Sequence, residues 1–243
     1  MFSYAMQFNQ DLDNWDTSNC MSMDSMFEGA HEFNGNITTW DVSVVTKMDT
    51  MFSQAYVFNR DISNWNTYRN TKCTQMFYEA RAFNQPLPQV TGKWCTSNVD
   101  NMESMFQGAV LFNRDISSWN VSKVNDMSQM FANATVFNSP LNSWDVRKVT
   151  DMNQMFYKAN SFNQEIYAWQ ITGIITDMTY FMNGPMSYNP TYLDHIYNTW
   201  STLPVSSGIR IDFTTVNFTS AGLAGKNSLI ASHGWDIYDG GMI

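Results

Sequence analysis

Charge is scarce in this chain of 243 residues. Charged side chains make up 14%, against about 25% in an ordinary soluble domain. Basic ones are the scarcer, 13 against 22 acidic, which leaves a net charge of −9. Polyanion binding draws on clustered Lys and Arg, so nucleic acid and anionic membrane are disfavoured as partners. Cysteine is scarce too. Cys20, Cys73 and Cys95 are odd in number and lack zinc-type spacing, so neither a disulfide framework nor a zinc site is expected. The three histidines, His31, His195 and His233, stand in unrelated contexts. No triad spacing and no phosphate-binding glycine loop appears, so no catalytic residue, cofactor or metal is assigned. No run approaches the roughly 18 apolar residues of a membrane span. The start shows no basic segment followed by an apolar stretch, so no secretion signal is visible.

Apolar residues, by contrast, make up 44%, led by 18 Met, 17 Phe and 9 Trp. That supplies a core and excludes wholesale disorder. The residues also repeat. Met-Phe occurs at Met1, Met26, Met51, Met76, Met105, Met130 and Met155, stepping by 25 residues except once by 29. Each pair is followed by Ala (Ala5 to Ala159), Phe-Asn (Phe8-Asn9 to Phe162-Asn163), Leu or Ile (Leu12 to Ile166) and Trp (Trp15 to Trp169). The long step adds four residues between Leu87 and Trp94, around Thr91-Gly92. An insertion that leaves the register intact predicts a surface loop.

Within one copy, Met152, Met155, Phe156 and Ala159 fall on one helical face, and Thr150 can cap it. Thr46 with Asp49, and Asp100 with Glu103, fit capping boxes. Trp144-x-Val146 alternates as a strand does. Each copy therefore reads as strand, turn, helix and return loop. One copy cannot bury both its faces, but stacked copies can. The Asn column then serves as a structural ladder, its buried amides binding backbone groups of neighbouring coils. The spacing Leu-x-x-Trp-x-Val-x-x-Val is that of a leucine-rich repeat with Trp substituted.

On these residues, and on Phe112-Asn113-Arg114-Asp115-Ile116-Ser117-Ser118-Trp119-Asn120-Val121-Ser122 in particular, the copies resemble the BspA-like leucine-rich repeat surface proteins. Those are also described as bacterial surface proteins with 26-residue repeats; the step here is 25. The resemblance covers roughly residues 1–184. It implies a cell-surface or extracellular setting and adhesion or partner binding rather than catalysis. The expected fold is an α/β solenoid, leucine-rich-repeat-like. It has seven coils of about 25 residues, each with a short parallel strand and a short helix, and a C-terminal cap.

Residues 1–184 are assigned to the solenoid and 185–243 to capping coils. Asn189-Pro190 suits a helix start, and Leu193, Ile196, Tyr197 and Trp200 give its stripe. Ile209, Ile211 and Phe213 alternate as a strand. Ser220 can cap a second helix bearing Leu223, Ala224 and Ile230, with Gly234 as its stop. Trp235-Asp236-Ile237 echoes the coils. No comparable cap precedes Met1, which suggests a fragment of a longer chain, a covering partner, or self-association through the first coil.

The residue after each Trp alternates outward, giving a polar stripe of Asp16, Asp41, Asn66, Cys95, Asn120 and Asp145, with Tyr68 beside it. In leucine-rich repeats this face is often the binding surface, so Asp16, Asp41, Asn66, Tyr68, Asn120 and Asp145 are the candidate binding residues. The plainer alternative is that these groups bond to their own turns. Asp11, Asp61, Asp115 and Glu165 share a loop position, as calcium ligands would. Pro86 and Pro140 interrupt that column, and no Asp-x-Asp-x-Asp-Gly loop is present. Asn-x-Ser/Thr triplets stand at Asn36, Asn120, Asn133 and Asn217. The expected function is a non-enzymatic binding or adhesion module for a protein or glycan. The alternative is a building block of a surface layer, filament or virion joined through the coil ends.

Overall fold

Every copy places the same side chains at the same depth. In a computed structural model, which describes residues 1–90, 92–184 and 187–243, equivalent rings form columns through the interior. One column runs Phe2, Phe27, Phe52, Phe77, Phe106, Phe131 and Phe156, with Phe27 and Phe52 centred 5.7 Å apart and Phe77 and Phe106 5.4 Å apart. A second runs from Phe8 through Phe162 to Tyr188. The Trp rings stack in two runs, Trp15 to Trp65, where Trp40 and Trp65 lie 6.3 Å apart, and Trp94 to Trp144. The copies are thus coils laid on one another about one ring spacing apart.

That spacing decides the backbone. An α-helix with side chains is about 10–12 Å thick, too thick to repeat at this interval. The segment with helical spacing is accordingly not a helix. In the second copy the N–H groups of Met23, Ser25, Phe27 and Gly29 donate to the carbonyls of Lys47, Asp49, Met51 and Ser53 of the third. Those of Met26, Glu28 and Ala30 turn back to Met23, Ser25 and Phe27. Alternate donors thus serve the neighbouring coil and the copy itself, leaving none of these groups unpaired. To aim outward, two residues per copy take left-handed conformations, among them Ser25 (φ 54) and Gly29 (φ 65), Gln75 (φ 53) and Glu79 (φ 51), Gln129 (φ 56) and Asn133 (φ 59). A third turn residue with positive φ has type II character. Each non-glycine case costs about 1 kcal/mol or more. The inter-coil hydrogen bond it directs returns a comparable amount. The expected caps at Thr46, Asp100 and Thr150 therefore start no helix.

The expected strand shifts as well. Single parallel bridges join Ser22, Lys47, Lys72, Asn101, Asp126 and Asp151. They lie beyond the Trp-x-Val segment, which instead folds into a tight turn, with Cys20 N–H donating to Thr17 O and Val149 N–H to Val146 O. The inward side chains keep their places: Val42, Val121 and Val146 are buried there.

Two further columns fix the register. Each Asn side-chain oxygen accepts the N–H of the next Asn, from Asn9 to Asn34 (2.8 Å) through Asn113 to Asn138 (2.8 Å) and on to Asn189. Each interior indole N–H reaches back to the preceding coil, as Trp40 does to Leu12 O (2.8 Å) and Trp119 to Leu87 O (2.7 Å). In the coils Trp94 departs from this, its buried Nε1 having no partner, as does Trp200 Nε1 further along the chain. Trp94 follows the loop that is four residues longer. Gly92 in that loop is exposed, and Thr91 lies outside the described residues.

Beyond the seventh Met-Phe the coils enlarge; Pro185 and Met186, at the expected boundary, lie outside the described residues. Helix α1 (Pro190–Trp200) starts at Asn189, whose side chain accepts the N–H of Thr191, and buries Leu193, Ile196, Tyr197 and Trp200. Strand β1 (Arg210–Asp212) bridges to Met178, and then pairs in parallel with β2 (Asp236–Tyr238). Helix α2 (Leu223–His233) ends on Gly234 in the left-handed region (φ 66). Its predicted apolar stripe is wrong: Leu223 and Ile230 are exposed, and Gly225 and Leu229 face inward. A Cβ on Gly225 would come 2.5 Å from the Tyr197 carbonyl carbon, so the helices touch backbone to backbone there. One apolar cluster runs from Leu12 through the coils to Trp235. In the first copy Met1, Tyr4, Met6 and Trp15 are exposed.

Trp119, 3% exposed and stacked between Trp94 and Trp144, should lose about 3–5 kcal/mol on replacement by Ala, measured by urea unfolding. Trp119→Phe should cost about 1 kcal/mol more than Trp94→Phe, because only Trp119 gives up an indole hydrogen bond. Replacing Asn113 by Ala leaves the Asn138 N–H without its protein acceptor at a water-accessible position and should cost about 0.5–1.5 kcal/mol in the same assay.

Candidate functional site: a polar groove on the turn ladder

The left-handed turns throw a row of side chains outward from each coil, and together these rows enclose a groove of about 340 Å³. Gln75 and Gln129 come from the first left-handed position of their copies, Tyr4 and Gln54 from the second, and Tyr78 and Gln107 from the residue before it. Ser53 and Ser104, both buried, lie at its base. Glu28 and Glu103 complete the acidic part of the lining. Among the described residues, the amides of Gln54, Gln75, Gln107 and Gln129 make no hydrogen bond to the protein. Neither does the Glu103 carboxylate or the Tyr78 hydroxyl. Tyr4 donates its hydroxyl to Glu28 Oε1 (3.1 Å), which raises the Tyr4 pKa. Its ring lies over Gly29, where a Cβ would meet it at 2.6 Å.

The electrostatics are acidic. Burial raises the Glu103 carboxyl above its usual range, and the nearby charges of Asp126 and Asp151 add to the effect. Burial likewise raises Asp49, against a hydrogen bond from the Thr74 N–H, with Asp24 adding to the rise. The groove thus offers amides and hydroxyls that both donate and accept, in a field that repels anions.

The residues expected to form the binding face are arranged differently. Asp16 accepts the N–H and hydroxyl of Ser18, at 3.0 and 2.6 Å. Asp41 accepts the N–H of Ser43, Asn66 that of Tyr68, and Asn120 that of Ser122. Asp145 holds Arg147 through its N–H, Nε (2.8 Å) and Nη2 (2.7 Å). These bonds hold the Asp16, Asp41 and Asp145 carboxyls below the usual range. The corner is thus a column of closed Asx turns, with Tyr68 exposed beside it. A second recess of about 420 Å³ lies there, between Ser122, Asp145, Arg147 and Lys148. Cys95, expected on this outer stripe, is buried. Gln89, from the longer loop, covers it, with Nε2 3.4 Å from the thiol and 3.1 Å from Ser97 Oγ.

The acidic loop column weighed as a calcium site is also engaged in bonds within the protein. Asp11 accepts the N–H of Asn36, Asp61 that of Ser63, and Asp115 that of Ser117. Among the described residues, no three His, Cys, Asp or Glu side chains converge as a metal site would require. All three cysteines are free, and burial pushes the Cys73 thiol up to about 12. No helix is long and apolar enough to cross a membrane among the described residues. Sequence reading missed the groove because its residues are polar positions between Met and Met-Phe-x-x-Ala. On a helix those positions are merely the solvent side. The signal lay in the bulky uncharged amides placed there.

These features define a repeat protein of stacked coils with a polar ladder surface. The chain belongs to the family described as "Mycoplasma protein of unknown function, DUF285", whose model matches residues 1–91 and again 87–195. No curated protein and no solved structure matches the chain.

A carboxyl whose pKa is raised by folding holds its proton more tightly when folded. Stability is therefore lost as pH rises through that value. Glu103→Gln should accordingly raise the urea midpoint at neutral pH. The advantage should shrink below about pH 4, where the wild-type carboxyl is protonated in both states.

Proposed function

We propose that this chain is a non-enzymatic binding or adhesion module, a leucine-rich-repeat-like solenoid of the BspA-like kind, that presents its turn-ladder groove to a protein or glycan. The reading is carried by one contrast. Polar side chains at the Trp corner, in the Asn column and in the return loops close bonds within the coils, whereas the amides in the groove have no partner in the protein. These free donors and acceptors stand on a backbone already held by inter-coil hydrogen bonds, so docking has only the side chains to order, not the backbone. The proposed setting is extracellular or at the cell surface. It rests on the resemblance of the repeats to surface proteins.

The experiment compares two double variants on arrays of extracellular-matrix proteins and glycans. Gln75→Ala with Gln107→Ala should weaken capture of whichever ligand the wild type binds by at least about tenfold, the loss of two to three modest hydrogen bonds. Asp41→Trp with Asn66→Trp, which crowds the Trp corner, should leave it within about twofold. The reverse pattern would move the binding face to Asp16, Asp41, Asn66, Tyr68, Asn120 and Asp145.

A further inference from the structure

We infer that the groove takes a neutral, extended oligosaccharide laid along the stack of coils; this rests on the groove being the binding face. The lining excludes other classes by its chemistry. Protein interfaces are anchored by side chains, most often Trp, Tyr and Arg, seated in well-packed desolvated pockets; here Tyr4 and Tyr78 are the only aromatic lining residues, and no aliphatic side chain lies beside them to make such a pocket. The lining side chains are amides, hydroxyls, carboxylates and the two phenol rings of Tyr4 and Tyr78. Anionic polymers meet the uncompensated carboxylate of Glu103 with Asp126 and Asp151 close by. A sugar hydroxyl donates one hydrogen bond and accepts others. A primary amide donates through its NH2 and accepts through its carbonyl oxygen, so Gln54, Gln75, Gln107 and Gln129 match hydroxyls in either direction. Tyrosine offers a flat apolar face with a polar tip, which suits the C–H face of a pyranose ring.

The geometry adds direction. The coils repeat in columns, with Phe77 and Phe106 5.4 Å apart and Trp119 and Trp144 6.5 Å apart. The lining extends from Tyr4 in the first copy to Gln129 just before the sixth Met-Phe. Polar groups therefore recur along one line, one set per coil. A linear polymer of equal units can meet them in register, and a coiled polymer cannot. A β-1,4-linked chain of glucose or N-acetylglucosamine is extended in this way, whereas an α-1,4-linked glucan winds.

The test is calorimetric titration of the full chain with four series, each running from mono- to hexasaccharide. These are cello-oligosaccharides, chito-oligosaccharides, malto-oligosaccharides and sulfated cello-oligosaccharides. The expected result is that one β-1,4-linked neutral series binds. Its affinity should climb several-fold per added sugar until the groove is filled, while the malto- and sulfated series stay at least about tenfold weaker. Gln75→Ala and the isosteric Gln75→Glu should each reduce hexasaccharide affinity about tenfold, with far-ultraviolet circular dichroism and thermal midpoint unchanged. Binding with no dependence on length, or a preference for the sulfated series, overturns the inference. So does the absence of binding by any neutral oligomer. If a protein ligand is still lost in the Gln75→Ala, Gln107→Ala variant while no oligomer binds, only the sugar class falls and the groove remains the binding face. If an oligomer binds equally well to that variant, the groove itself is overturned.

Discussion

The repeat distance set by stacked aromatic rings governs the rest of this molecule. Phenylalanine and tryptophan columns bring successive coils to about 6 Å. At that separation the backbone of one coil must answer the backbone of the next, since no side chain fits between them. Helices are too wide, and a strand longer than one residue does not survive the tight turns that each coil needs. The remaining solution alternates donors, one to the neighbouring coil and one within the turn, and it requires residues with positive φ at fixed places. Left-handed serine, threonine, glutamine and glutamate would be costly singly. Here each is held by a bond to the next coil and by the rings beneath it, so the conformation follows from the packing.

This explains what the sequence discloses and what it conceals. Period, copy number and the inward set of Met, Phe, Ala, Leu, Ile and Trp could be read directly, because burial acts on side-chain chemistry and the same positions recur seven times. The Asn ladder could be read as well, since identical amides recurring once per coil form a column; the expected burial of those amides is wrong, for Asn9, Asn59 and Asn113 are exposed and the ladder runs along the surface. The conformation of each copy could not. Met23, Met26, Phe27 and Ala30 are spaced for a helical face, yet the same residues point inward when paired turns replace the helix. Periodicity reports which side is buried and not how the chain turns between. In α1 the local signals of Asn189-Pro190 and the packing requirement agree, and a helix forms at Pro190–Trp200. In α2 the stripe misled because Gly225 allows the helix backbone itself to be the contact surface.

The candidate site follows the same logic. Reading the Trp-x-Val segment as a strand put the polar stripe of Asp16, Asp41, Asn66, Asn120 and Asp145 on an open sheet face. As turn residues, their short side chains reach their own backbone two residues on, and they close. Glutamine is one methylene longer and does not form that local ring, so Gln54, Gln75, Gln107 and Gln129 stand clear of the backbone. Side-chain length thus separates the polar groups that hold coils from those that face outward. Only the structure shows that both kinds sit on turns.

One consequence concerns where this fold can vary. The Asn column is Asn in every copy, because its oxygen must meet an N–H one coil away. The first left-handed position holds Ser25, Thr50, Gln75, Ser104, Gln129 and Gln154. Its backbone N–H does the same work in each copy, donating to the next coil, while its side chain is left free of that task, and those of Gln75, Ser104 and Gln129 line the groove. Ser25 and Thr50 pair with each other through their hydroxyls, 2.7 Å apart, whereas Gln75 and Gln129 do not bond to the protein at all. A position whose structural task belongs entirely to the backbone can change its side chain without changing the coil. The groove's chemistry is therefore set separately from the stability of the stack, coil by coil. This is the property a binding surface needs if it is to be altered while its scaffold stays fixed.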